Sequence, residues 1–261
     1  MTTFAPGTFT PKPGTGRRGR MLLAHAKVET SLTLRNGEQI LLTLLIPLAL
    51  LVGLTVLDVL PTGNLGPVSK VDWITPRILA LAVMSSAFTG QAIALGFDRR
   101  YGVLKRLSAT ALPRWLLVAG RIVSALVVVA VQVVVLGIVA AFLGWTPSGA
   151  GVAEAVLLLV LGTLSFGALG VLLGGALRAE VVLALANIVW FALLLAGGIL
   201  LAPSALPSGA ATLVELLPSG ALAEGLREAL VDGTLGLEPV AVLLGWGVVA
   251  GVIATRTTRL T

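Results

Sequence analysis

The sequence predicts an all-α polytopic membrane protein with six transmembrane helices, and three observations carry that expectation. Hydrophobic residues fill 57% of the 261 positions and charged residues only 11%, against roughly 25% charged in an ordinary soluble domain; the mean hydropathy is +1.02. Six uncharged runs, residues 39–57, 78–97, 122–153, 155–177, 181–214 and 239–255, each reach the roughly 17–25 residues that a helix needs to cross about 30 Å of hydrocarbon. The runs are continuously Leu, Val, Ala, Ile and Gly, which counts against the alternating strands of a membrane β-barrel.

Taken in order, residues 1–20 contain no signal-like apolar region and are expected to be a disordered cytosolic tail. Residues 21–38 place Met21, Val28 and Leu32 apart from Lys27, Glu29 and Arg35 and stop at Asn36-Gly37, the pattern of an amphipathic interfacial helix. His25, the only histidine, reads as part of that interface and not as a ligand. Residues 39–261 form a single membrane domain, with spans at about 39–57, 78–97, 115–144, 152–177, 181–202 and 239–255.

Pro47 should kink the first span, and a neighbouring helix can then satisfy the carbonyl it frees; Asp58, Pro61 and the loop TGNLGP mark its outer end. The second span carries Met84, Ser85, Ser86, Thr89 and Gln91. Arg114-Trp115 and Trp145 anchor the two ends of the third, and Arg121 lies within snorkelling reach of the inner headgroups. Gly162, Gly167, Gly170, Gly174 and Gly175 in the fourth allow close helix packing. The turn Arg178-Ala179-Glu180 leads to the fifth span, which contains Asn187.

Pro203, Pro207 and Pro218 then set off two short pieces, SGAATLVELL and SGALAEGLREALVDG. The second repeats leucine at 222, 226 and 230, so it should be an amphipathic helix with Ser219 as N-cap and Gly233 as stop. Both are expected to form a short re-entrant or extracellular segment before the last span, whose inner end Arg256 and Arg259 hold.

With both termini cytosolic, fifteen of the eighteen Lys and Arg residues fall inside, while eight of the twelve acids fall outside. Cationic loops resist translocation, so this asymmetry sets the orientation. The basic pI near 10.8 is this bias, and no nucleic-acid partner is expected.

Several chemistries lack their residues. None of the four lysines follows glycine, which rules out a P-loop within the chain. The deep polar residues read as Gln91, Gln132, Asn187 and scattered Ser or Thr, with Glu154 near the outer end of its span; nothing resembles the paired ionisable groups of a proton relay. Gln91, Gln132 and Asn187 are candidates for a substrate pathway, with helix-packing hydrogen bonds as their other reading. No HExxH motif or Ser-His-acid set is present. An ion-coupled carrier or channel and a non-transporting scaffold stay open as alternatives to a membrane machine driven from elsewhere.

Charge returns at GFDRRYGVLKRLSATALPRW, residues 96–115, with five of the eighteen cations. On a helical wheel Tyr101, Val103, Leu104, Leu107, Ser108 and Ala111 share one arc while Arg99 and Arg106 lie opposite, with Asp98 and Lys105 between. A surface helix over 98–112 closed by Pro113 is implied. Its charge serves either topology and anionic-lipid contact or the docking of a soluble partner.

Three stretches resemble the ABC-2 type permeases, the six-span membrane subunits of ATP-binding-cassette exporters: LRNGEQILLTLLIPLALL (34–51), FDRRYGVLKRLSATALPRWLLVAGRI (97–122) and LPSGALAEGLREAL (217–230). The similarity is closest to the drug-export, daunorubicin-resistance-like branch. The resemblance implies a permease subunit moving a hydrophobic or amphiphilic substrate, such as a drug, a lipid or a lipid-linked molecule, across a bacterial inner membrane. It implies a coupling helix that assigns Asp98, Arg99, Arg100, Tyr101, Gly102, Leu104, Lys105 and Arg106 to contact with a cytosolic ABC ATPase. That partner would bind ATP and Mg, and this chain would hold no cofactor; the second permease chain would be identical or related. The family commonly has Glu at Asp98 and Thr at Val103.

Overall fold

The computed structural model describes residues 16–57, 68–110, 113–200 and 206–257, and among these every regular element is helical. In chain order they are α1 (Arg18–Arg35), α2 (37–56), α3 (Lys70–Arg100), α4 (Val103–Ser108), α5 (Arg114–Phe142), α6 (Val152–Ala176), α7 (Ala179–Ala196), α8 (Ser208–Glu215), α9 (218–232) and α10 (Leu237–Thr257). Helices α3, α5, α6, α7 and α10 are long and apolar enough to cross a membrane; the apolar part of α2, Thr43–Val56, is shorter. The expected loop at Asp58, Pro61 and TGNLGP, most of the tail, Ala111, Leu112 and Arg259 lie outside the described residues.

Helix α3 forms the centre, packed by α2, α5, α6, α7 and α9. It starts eight residues before the expected boundary and takes in Pro76 and Arg77. Ser69 caps it, accepting from the Asp72 amide at 3.2 Å, which pre-empts the weaker apolar-run signal at Ile78. Pro76 is tolerated because side chains bond the backbone beside it: Thr75 Oγ1 donates to the Val71 carbonyl at 2.7 Å and Arg77 Nη1 to that of Trp73 at 2.9 Å.

A wide turn, Met84–Gly90, interrupts α3, and its hydroxyls bind neighbours. Trp190 Nε1 of α7 donates to Ser85 Oγ at 2.9 Å, and Ser86 Oγ donates to Gln132 Oε1 of α5 at 2.8 Å. Gln132, 3% exposed, donates onward from Nε2 to the Thr43 carbonyl of α2 at 3.0 Å. Thr43 stands four residues before Pro47, so this carbonyl is the one that proline deprives of an amide partner. The break in α2 and the glutamine of α5 therefore complete each other, as hydrocarbon requires.

Other boundaries shift. Helix α1 includes Arg18 to Arg20, which the sequence assigns to the tail, and ends at Asn36. Helix α7 ends at Ala196, short of the expected 202, where Gly197 and Gly198 turn the chain, Gly198 at φ 84°. Helix α9 starts with Leu217 at the cap and Pro218 in its first turn, so Ser219 is buried inside the helix and caps nothing; proline fits the first turn without loss of a bond. Gly233 ends it at φ 71° as expected. Leu222, Leu226 and Leu230 are buried, and α9 packs on α3, α6 and α10, so it belongs to the bundle and does not rest on its surface.

Candidate functional site

The bundle has a basic end, where α1, α4 and the termini of α3, α5 and α6 meet, and an acidic end, where α9 meets the start of α3 and the α5–α6 turn. At the basic end the run expected to be one surface helix is two elements. Asp98, Arg99 and Arg100 complete α3, and Tyr101-Gly102 turn the chain, Gly102 at φ 68°. The six residues of α4 then form a separate helix. Glycine occupies the left-handed position because a Cβ there is strained, and that turn breaks the expected common face of Arg99 and Arg106.

Each residue assigned to the partner contact now has a place. Asp98 turns inward and accepts from Arg121 Nη2 of α5. Arg99 Nη1 donates to the carbonyls of Gly174 and Leu177, at 3.0 and 3.2 Å, and so closes the C-terminal end of α6; a cation is favourable where the last carbonyls lack amides. Arg100 pairs with Glu180 at the α6–α7 turn, exposed on both sides. Leu104 is buried under α4. Arg106 Nη2 donates to the Tyr101 carbonyl at 3.1 Å and bridges the Gly102 turn. Tyr101, Lys105 and Arg106 present themselves outward.

Arg121 is 5% exposed and does not reach back to headgroups as the sequence led us to expect. It lies between Asp98 of α3 and Glu29 of α1, whose Oε1 is 3.9 Å away. His25 joins the same cluster, with Nε2 3.8 Å from Glu29 Oε1 and 3.4 Å from the Leu117 carbonyl. The His25 ring presses on Gly120, where a Cβ would overlap it. A guanidinium in a low-dielectric site needs counter-charge to be kept there, and here that need ties α1, α3 and α5 to one another.

Of the pathway candidates, Gln132 serves the hydrogen-bond chain between α2, α3 and α5. Gln91 is half-buried on α3, facing the close approach of Gly170. Asn187 is exposed on the outer face of α7 and donates to its own Leu183 carbonyl at 2.7 Å.

The acidic end holds a second ionic cluster, which sequence reading missed because Arg77 stands just before the expected start of the second span at residue 78. Arg77, 2% exposed, lies 3.9 Å from the Trp73 ring centre and pairs through Nη2 with Glu224 of α9 at 3.3 Å. Arg227 binds Glu224 and, at 2.8 Å, Asp232. Burial, with Glu224 nearby, pushes the Glu228 carboxyl above its ordinary 4.5. Folding thus favours protonated Glu228, a contribution complete below the ordinary value and lost as pH rises through the folded one. Glu228→Gln is expected to raise Tm at neutral pH, the gain vanishing in paired melts acidified below about 4.5. Among the described residues no group of three or more His, Asp or Glu is placed to hold a metal ion.

No curated protein matches the chain. The family model described as ABC-2 type transporter matches residues 22–231, from α1 to the end of α9. The chain therefore belongs to the ABC-2 type transporter family, whose permeases are multi-pass membrane subunits working with ABC ATPase partners.

Proposed function

We propose that this chain is the permease subunit of an exporter of the drug-export branch, moving a hydrophobic or amphiphilic substrate out of a bacterial cell across its inner membrane. In this reading the run over 37–56 is the sixth crossing, both termini are cytosolic, and two permease chains flank the pathway. A separate cytosolic ATPase binds ATP and Mg and supplies the work through its differential affinity for two states of the permease.

One observation carries the reading: the segment 98–106 is outward-facing at Tyr101, Lys105 and Arg106 and tied inward at Asp98 and Arg99. Force applied to α4 therefore reaches α5 through Asp98–Arg121 and α6 through Arg99. The positive-inside bias places this end in the cytosol. Arg99 is engaged within the fold, so the informative variant reverses charge at Lys105 and Arg106 only. Lys105→Glu with Arg106→Glu is expected to abolish copurification of the ATPase from membranes, with insertion of the permease unchanged and only a small drop in Tm from the lost, exposed Arg106–Tyr101 bond. Undiminished ATPase recovery would overturn the assignment.

A further inference from the structure

We propose that the groove between α1 and α5 holds an anionic phospholipid of the leaflet at the basic end. The groove is open along its length and has a volume of about 490 Å³. Buried Ala26 with Leu23, Val123 and Val127 supplies apolar lining, and Lys27, Thr30 and Arg35 supply polar lining.

The sequence of α1 builds this division. Leu23, Lys27, Thr30 and Leu34 recur at helical spacing, and Ser31 and Arg35 continue the row from Lys27 at every fourth position. Glu29 is turned by about 200° from Lys27 on the wheel and serves Arg121 instead. The acid of α1 is thus spent inside the bundle, and two cations with hydroxyls between them line the groove. Neither Lys27 nor Arg35 forms an ion pair with a described residue.

On the α5 side, Val123 and Val127 lie about two and a half to three and a half turns beyond Arg114, at the depth of acyl chains. Apolar side chains beside two cations and two hydroxyls match one hydrocarbon tail with its phosphate. A zwitterionic lipid would gain the same tail contact but less from Lys27 and Arg35, each worth roughly fivefold in affinity for an anionic headgroup. Water alone would leave Leu23, Val123 and Val127 wetted inside a hydrocarbon layer.

The test uses the full chain in nanodiscs of equal phosphatidylglycerol and phosphatidylcholine, with the lipids retained after mild extraction counted by native mass spectrometry. The wild type is expected to keep phosphatidylglycerol in preference. Lys27→Gln with Arg35→Gln should lower that preference roughly 25-fold. Val127→Trp, on an exposed position of the groove, keeps both cations and fills the groove; it should lose the retained lipid at unchanged Tm. Equal retention of the two lipids by the wild type, no retention of either, or a Val127→Trp protein that keeps phosphatidylglycerol would each overturn the proposal.

Discussion

Gly174→Ala is expected to destabilise the protein by an amount near the upper end of the roughly 1–3 kcal/mol seen for overpacked sites, although alanine is the better helix former. A Cβ on Gly174 would stand 2.5 Å from the Ala92 carbonyl oxygen and 3.0 Å from Leu95 Cβ, both on α3. The obstacle is backbone in the most central helix, so nothing flexible can yield. Gly170, one turn earlier, meets the Phe88 and Ala87 carbonyls at 2.8 and 2.9 Å in the same way. These two glycines let α6 lie directly on α3. Gly167 has open space around its Cβ direction, so Gly167→Ala should gain up to about 1 kcal/mol from helix propensity. Opposite signs for one added methyl, read as Tm in detergent, form the check. Equal shifts would show that α6 does not approach α3 closely. Because Arg99 donates to the Gly174 carbonyl, displacement at Gly174 should also loosen the Arg99 contact at the basic end.

Glu224→Gln should cost about 3–5 kcal/mol, more than Arg77→Met. The asymmetry follows from what each change leaves behind. Without the carboxylate, Arg77 stays buried in α3 with Trp73 as its remaining neighbour of opposite character, and its Nε already lacks a partner. Without Arg77, Glu224 keeps Arg227. The double variant Arg77→Met with Glu224→Gln should recover most of the loss, since an apolar substitute needs no counter-charge. Denaturation of the four proteins in one detergent provides the cycle; strictly additive losses would show that the two side chains do not interact.

Much of this arrangement was legible beforehand. Continuous apolar runs of this length become helices in hydrocarbon, because each then pairs its own amides within the segment, and so α5, α6 and α10 appear close to their expected limits. Pro47 announced a carbonyl in need of a partner. Gly233 announced a helix end through its left-handed backbone. The basic segment at 98–106 was visible as charge that apolar neighbours did not explain.

What stayed hidden were pairings between positions far apart in the chain. Asp98 and Arg121 read separately as a contact residue and a snorkelling cation; only their convergence with Glu29 shows a buried cluster. Arg77 read as charge just before the second span because its partner Glu224 is 147 positions away. The single helix expected over 98–112 failed at Gly102, since a wheel records where side chains would point and not whether the backbone continues.

Hydropathy, proline and glycine placement and the distribution of Lys and Arg thus decided the class of fold, the limits of α5, α6 and α10, and the two unlike ends, because each acts through local backbone bonding or through transfer from water to lipid. The tertiary structure alone decided which buried charges meet, which carbonyl Gln132 completes, and which cations of the basic end are held inside and which are left to face outward. Those outcomes depend on distances between helices, which no local property of the chain encodes.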